Sequence, residues 1–193
     1  MHIRLAAAVL AIPLLLSGCL IPEKFVSKVQ FANDGSYVFQ YDGSVVNVFA
    51  AEQLRKAGKL SDKDEAALRS DIEKIKKTPD VRTVAYKGNG RYGLTMESRR
   101  KSGESLKALD MLTVKTGKDG VVTVAGANLT PRDQKGLAQL AIKIDGVLEV
   151  TLPKNAEVIA HNATTTPGLL GPAYGWKIGD LQQRPSITFR LKR

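Results

Sequence analysis

The chain has 193 residues, of which 43% are hydrophobic and 25% charged, and its formal net charge is +10. This length fits one domain, with two small ones as the alternative, and is sufficient to bury a sizeable core. The single cysteine excludes an intramolecular disulfide, so stability must come from ordinary packing. The excess of Lys and Arg either favours polyanionic neighbours or is simply a basic soluble surface.

The N-terminal segment has the pattern of an export signal. Arg4 precedes an apolar run from Leu5 to Leu16, and the small residues Ser17 and Gly18 lead to Cys19. This order is typical of a bacterial lipobox. Such a chain is cut before the cysteine, whose thiol takes a diacylglyceryl group and whose new amine takes a fatty acyl chain such as palmitate. We predict a signal peptide over residues 1–18 and a mature domain over 19–193.

Two alternatives to lipidation fit the N-terminus less well. A transmembrane helix needs about 20 apolar residues, and here the run is shorter and Pro22-Glu23-Lys24 follows. An ordinary secretory peptide would leave a free thiol at the mature N-terminus. Burial of lipid contributes roughly 0.8 kcal/mol per CH₂, and two or three chains on Cys19 would hold the protein durably on a membrane.

The predicted anchor restricts location and partners. Removal of residues 1–18 takes away Arg4, so the net charge of the mature domain is 10 − 1 = +9. Leu20, rather than Asp, follows the cysteine, which resembles lipoproteins sorted onward to the outer membrane. We therefore expect a cell-envelope protein that is anchored in the outer membrane and faces the periplasm. Anionic lipid, lipopolysaccharide and envelope proteins are candidate partners, and nucleic acid is not.

The first predicted element is a β-hairpin. Phe25–Phe31 and Tyr37–Tyr41 alternate apolar and polar residues around the turn sequence Asn33-Asp34-Gly35-Ser36. Ser44–Gly58 is ambiguous, because Val45, Val46 and Val48 favour a strand whereas the later spacing fits a helix. We predict a helix from about residue 46, with Gly58 after its end.

The middle of the chain predicts a helix and two hairpins. Ser61–Lys77 has an N-cap serine, an amphipathic face and favourable ion pairs along it. Gly88-Asn89-Gly90 separates Val81–Lys87 from Arg91–Glu97, and Asn-Gly between alternating runs is a strong hairpin signal. A second hairpin is predicted from Met111–Thr116 and Val121–Ala125.

The C-terminal part predicts one more helix and four strands. Thr130-Pro131-Arg132-Asp133 has the N-cap, proline and acid of a helix start, and Asp145-Gly146 ends the helix. Strands follow at 147–152, 157–161, 174–178 and 186–191. The clustering of strands in hairpins predicts an α+β fold, a single domain with a largely antiparallel sheet and two to three packed helices.

Motifs for catalysis or cofactor binding are weak. Gly88–Gly93 matches G-x-G-x-x-G, but a strand pattern follows it where a dinucleotide site needs a helix, so we interpret it as a turn. His161 is the only histidine of the mature domain, and no metal site or cofactor is predicted. No G-x-S-x-G sequence occurs, and no pair of acids stands out for glycan cleavage. We expect the domain not to be an enzyme.

Two groups of residues are candidates for binding. Arg99, Arg100 and Lys101 form a basic loop that suits headgroup phosphates, although a solvated loop explains it equally. An aromatic stripe on the second strand and a late tryptophan would line an apolar groove or belong to the core. These residues are Tyr37, Phe39, Tyr41 and Trp176.

Several segments together resemble a group of uncharacterised bacterial lipoproteins. They are the lipobox, Asp34-Gly35-Ser36, Tyr41-Asp42-Gly43, Val84–Tyr92, His161-Asn162-Ala163 and Tyr174–Ile178. The early hairpin and the late N-A…W-x-I pattern are also similar, more distantly, to the LppM-type lipoprotein domain. That resemblance implies an α+β, membrane-anchored domain linked to envelope lipids, and it brings no catalytic residues.

The sequence leaves three functional hypotheses. The first is a non-enzymatic lipoprotein whose domain binds a partner protein or another envelope component. The alternative is a lipid- or glycolipid-binding module with an apolar groove and a basic rim. The third is an enzyme that acts on wall glycan or lipid. The aromatic stripe serves a core and a groove equally well, so the sequence does not separate the first two.

Overall fold

The computed structural model describes residues 20–169, 171–179 and 184–192, and the predicted lipidation site Cys19 lies outside this part. The described chain confirms the predicted α+β class, with eleven strands and four helices. In chain order these elements are β1 Leu20–Phe31, β2 Tyr37–Asn47, α1 Val48–Ala57, α2 Asp62–Ser70, α3 Ile72–Ile75, β3 Val81–Gly88, β4 Arg91–Arg100, β5 Leu106–Ala108, β6 Leu112–Thr116, β7 Val121–Gly126, α4 Pro131–Gln139, β8 Asp145–Thr151, β9 Ala156–His161, β10 Ala173–Ile178 and β11 Ser186–Leu191.

The strands form two sheets. Sheet A has six strands in the order β10-β8-β1-β2-β4-β3, and sheet B has five in the order β5-β6-β7-β11-β9. Neighbouring strands are antiparallel throughout the described sheets, apart from β1 and β8, which run parallel. The predicted antiparallel character is therefore confirmed.

The main core lies between the two sheets. The alternation of β2 buries Tyr37, Phe39 and Tyr41 on one face, as expected for a strand with one face towards a core. Sheet B contributes Phe189, whose ring meets that of Phe31 edge to face at 4.9 Å. A second, smaller apolar cluster packs near α1 and α4, and its buried members are Val46, Ala51, Leu137, Ile142 and Ile144.

The helices differ from their predicted bounds. β2 continues to Asn47, so α1 begins later than predicted, with the Asn47 side chain as its N-cap. The single helix predicted over 61–77 is divided into α2 and α3. At the junction the hydroxyl of Ser70 donates to the carbonyl of Ala67 at 2.7 Å, a local bond that competes with regular helix geometry. No helix of the described residues has the length and apolarity needed to cross a bilayer.

The predicted turns and the late helix start are confirmed. Gly88, Asn89 and Gly90 all have positive φ between β3 and β4, which excludes a dinucleotide loop there. Thr130 and Asp133 form a capping box at the start of α4. β1 begins earlier than predicted, at Leu20, and continues past a bulge between Pro22 and Phe25.

Candidate binding groove

A groove opens where the β5 edge of sheet B faces β2 and β4 of sheet A. The helix α3 and the turn after it close the third side, and the free volume is about 420 Å³. That is larger than the cavity of roughly 150 Å³ that holds one benzene in an engineered protein core. We call it the α3–β5 groove, and it has room for a ligand of several carbon atoms.

The floor of the α3–β5 groove is apolar. On β4 the side chains of Leu94 and Met96 face inward together, and Phe39 of the neighbouring β2 lies beside them. Ile75 of α3 and Leu106 of β5 complete the walls, with 4% and 6% of their surfaces exposed. Leu20, the first residue of β1, also lines the groove.

Four cations border the α3–β5 groove: Lys74, Lys77, Arg100 and Lys107. Three of them have carboxylate partners, since Lys74 pairs with Asp71 at 2.8 Å, Arg100 with Asp80 at 2.7 Å and Lys107 with Asp110 at 2.6 Å. Lys77 makes no ion pair within the described part of the chain.

The two paired lysines remain available to a ligand. The side chains of Lys74 and Lys107 are 67% and 68% exposed, and exposed pairs of this kind contribute only about 0–1 kcal/mol. An anionic group at the mouth can therefore replace Asp71 or Asp110 at little cost. The Arg100–Asp80 pair is more buried, so it is better suited to hold the rim in place.

A second cavity lies deeper between the sheets. Pro22, Phe25, Tyr41 and Leu148 line it, and Phe39 forms part of its wall as well as of the α3–β5 groove. Its volume is about 50 Å³, which is a third of the cavity that admits benzene. The second cavity is therefore a packing gap of the core that Phe39 separates from the groove.

The predicted aromatic stripe belongs mainly to the core. Tyr37 is buried, and its hydroxyl donates to the carbonyl of Glu104 at 2.8 Å. Burial raises the pKa of Tyr37 to about 12. Tyr41 is also buried, and burial raises the pKa of its phenol in the same direction. Of the stripe, only Phe39 lines the α3–β5 groove.

Trp176 lies on β10, away from the α3–β5 groove. Its indole N–H donates to Oδ1 of Asn162 at 2.8 Å, and the same oxygen accepts from the backbone N–H of Ser186 at 2.8 Å. The Asn162 amide nitrogen donates to the carbonyl of Arg184, also at 2.8 Å. Asn162 thus connects β10 of sheet A to the start of β11 in sheet B, and Trp176 has a structural role in this connection.

The predicted basic loop lies at the end of β4. Arg99 pairs with Glu97 at 2.9 Å, and the backbone N–H of Lys101 donates to Glu104 at 2.9 Å. A hydrogen bond with Gln40, and then the charge of Arg99, lower the pKa of Glu97, so this carboxylate stays ionised beside the loop. Of the three predicted basic residues, Arg100 is the one that reaches the groove.

Sequence reasoning missed Lys77 and Lys107 as groove residues. Lys77 follows α3, where a cation is explained by the helix dipole, and Lys107 lies on the short strand β5, which was not predicted. The groove brings together residues from Leu20 to Leu109, which are up to 89 positions apart in the sequence. In the sequence, the only indication of an apolar surface with a basic border is Ile75, which lies between Lys74 and Lys76.

His161 has local partners. Its ring meets the Tyr174 ring edge to face at 4.9 Å, and its Nδ1 accepts from the backbone N–H of Ala163 at 3.1 Å. The described residues contain no group of three or more His, Cys, Asp or Glu side chains placed to hold a metal ion.

Comparison with known proteins gives a weak structural likeness and no sequence match. No protein-family model matches the chain, and a search of curated proteins found no match. Among solved structures, the folded domain of LppM from Mycobacterium tuberculosis, determined by NMR, is similar over 89% of this chain and 91% of that one. The TM-score is 0.40 and the sequence identity 14%.

Proposed function

We propose that the chain is a non-enzymatic lipoprotein of the bacterial cell envelope whose domain binds an amphiphile in the α3–β5 groove. The ligand has an apolar chain and an anionic headgroup, as in a phospholipid or glycolipid. The observation that supports this function is a groove of about 420 Å³ that combines an apolar floor with lysines at its mouth. A partner-binding scaffold needs no such concavity, so the groove favours the second of the two non-enzymatic hypotheses.

The shape of the α3–β5 groove suits the two parts of an amphiphile. An acyl chain placed against Leu94, Met96 and Leu106 would gain roughly 25 cal/mol for each Å² of apolar surface removed from water. A phosphate or carboxylate held at the mouth would meet Lys77, which has no ion-pair partner among the described residues. Apolar burial supplies the affinity and the lysines supply the headgroup preference.

The anchor at Cys19 is tested by fractionation. The Cys19→Ala variant of the full chain should leave the membrane fraction, because it cannot be acylated, while the wild type stays in it. Sucrose-gradient separation of inner and outer membranes would then test the outer-membrane location. Retention of Cys19→Ala with the behaviour of an integral protein would contradict anchoring through the cysteine.

Ligand binding is tested on residues 20–193, which include both described core clusters. Native mass spectrometry after gentle purification should show an added mass that matches a phospholipid or glycolipid. A titration with short-chain phosphatidylglycerol and, separately, phosphatidylcholine should show preference for the anionic lipid. We expect the double variant Lys77→Glu/Lys107→Glu to bind phosphatidylglycerol about tenfold more weakly, a loss of about 1.4 kcal/mol.

The matched control carries the same change of charge away from the groove. Lys118 lies in the turn between β6 and β7 and Lys135 on α4, and both are exposed. Lys118→Glu/Lys135→Glu should therefore bind phosphatidylglycerol as the wild type does. Equal weakening by both double variants would indicate unspecific attraction to net charge. A bare protein mass without any response to lipid would contradict the groove as a lipid site and favour a protein partner.

A further inference from the structure

The folded domain begins immediately after the predicted anchor. β1 starts at Leu20, which is 8% exposed and pairs with Asn47 at the end of β2. Consecutive Cα atoms are 3.8 Å apart, so no flexible tether separates an acylated Cys19 from the sheet. If Cys19 carries lipid, as proposed above, the end of the domain around Leu20 must lie at the headgroup layer, which is about 6 Å deep on each side of a bilayer.

The elements at this end present an exposed phenylalanine. Asn47 donates its backbone N–H to the carbonyl of Gly90 at 2.8 Å, which joins the start of α1 to the β3–β4 turn. Phe49, two residues after Asn47, has 68% of its surface exposed and is the one aromatic side chain among the exposed large apolar residues of the described chain. Its Cα lies within about 13 Å of that of Leu20, from the strand pairing and two further residues.

Insertion of Phe49 into the membrane surface is favourable. Full burial of a phenylalanine side chain is worth roughly 1.5–3 kcal/mol, and apolar and aromatic side chains are common where proteins contact the headgroup and acyl boundary. The start of the fold at Leu20 and the exposed ring of Phe49 are independent observations, and both concern the same end of the domain.

The same hairpin shows which part of the domain lies furthest along the strands from Leu20. β1 has 12 residues, which at about 3.3 Å per residue would span at most roughly 40 Å, and the bulge between Pro22 and Phe25 shortens this. Its last residue, Phe31, pairs with Tyr37, and Tyr37 pairs with Arg100. By strand register Arg100 therefore lies nearer the turn after β1 than Leu20 does, and the α3–β5 groove, which both residues line, extends between them.

We propose that the domain sits directly on its own membrane, with the start of α1 against the bilayer and Phe49 inserted among the headgroups. The turn after β1 points away from the surface. The surface that covers Phe49 is the bilayer that holds Cys19. The domain begins directly after Cys19, so no linker allows it to move away from that bilayer. This inference rests on the anchoring part of the proposed function and is independent of the groove ligand.

The test measures the depth of a tryptophan in the lipidated full chain, reconstituted in vesicles of phosphatidylethanolamine and phosphatidylglycerol. Phe49→Trp keeps an aromatic ring at the patch, and Ile159→Trp on β9 is the matched control, since Ile159 is 55% exposed. β9 follows Asn155, whose side-chain amide donates to the carbonyl of Asn33 in the far turn at 3.1 Å. The native Trp176 is 5% exposed and gives a constant background.

We expect brominated lipids to quench the emission of Phe49→Trp severalfold more than that of Ile159→Trp. Iodide in the water should show the reverse order. If iodide quenches both variants equally while the protein floats with the vesicles, the proposed contact of Phe49 with the bilayer is wrong. Anchoring through Cys19 would still be supported. If Phe49→Trp is shielded from both quenchers and crosslinks as a dimer, a second copy of the chain covers Phe49, and its proposed insertion into the bilayer is wrong. If the wild-type chain does not float with vesicles, anchoring through Cys19 is wrong. The proposed membrane contact of Phe49, which depends on that anchor, is then wrong as well.

Discussion

Tyr37 is a buried phenol whose ionisation is linked to stability. It has 3% of its surface exposed, and its hydroxyl donates to the carbonyl of Glu104. Burial raises its pKa from 10.0 to about 12, because the phenolate would lose its hydration in the core. In the unfolded chain the same phenol ionises around pH 10. Between these values the unfolded state loses a proton that the folded state keeps, which favours unfolding.

We therefore predict alkaline destabilisation of the domain. The contribution of Tyr37 is fully present below pH 10 and is lost as the pH rises towards 12, by on the order of 2 kcal/mol. Urea unfolding at a series of pH values, with tyrosinate absorbance in parallel, measures it. Tyr37→Phe should be less stable at neutral pH by about 1 kcal/mol and should show a shallower decline. An equally steep decline in that variant would assign the effect to other groups.

At the level of elements, the β3–β4 turn packs against α1. Gly88 and Gly90 both have positive φ, at 87° and 71°, a conformation that costs other residues about 1–2 kcal/mol. Their surroundings differ, however. A Cβ on Gly88 would meet nothing within 4 Å, whereas one on Gly90 would overlap the Cβ of Ala50. The same substitution at the two positions therefore separates backbone strain from a steric clash.

We predict that Gly90→Ala destabilises the domain more than Gly88→Ala does. Gly88→Ala should lower the free energy of unfolding by about 1–2 kcal/mol through its backbone alone. Gly90→Ala should lose a further 1–3 kcal/mol, roughly, because α1 must move to accept the added methyl group. Urea unfolding of both variants gives the comparison. Equal losses would mean that α1 is not held closely against the turn.

The elements that were predictable from the sequence have strong local signals. Asn89 between two glycines specifies a tight turn, and the Thr130–Asp133 capping box specifies a helix start, whatever the rest of the chain does. The groove has no such signal. β5 is three residues long and alternates only once, so neither it nor Lys107 was expected. Whether the aromatic stripe would line a groove or the core was ambiguous, because both kinds of strand face have the same period of two residues.

At the scale of the whole molecule, the two sheets share one core. The contact of Phe31 with Phe189 joins a central strand of sheet A to a strand of sheet B, and Phe189 is fully buried. Trp176 lies in sheet A, and its hydrogen bond to Asn162 depends on the position of β11. Neither sheet can expose its inner face to water without loss of the other's packing, so we expect the domain to unfold as one unit.

Phe189→Ala tests this cooperativity. Removal of the buried ring should cost about 3–5 kcal/mol, a large part of the roughly 5–15 kcal/mol that stabilises a typical domain. Although the change is in sheet B, the unfolding curve followed by Trp176 fluorescence in sheet A should shift to lower urea together with the circular dichroism curve. Ile159→Ala, at an exposed position of the same sheet, should change stability by less than about 0.5 kcal/mol. Separate transitions for the two probes in Phe189→Ala would show that each sheet is stable without the other, and the α3–β5 groove between them would then be able to open by their separation.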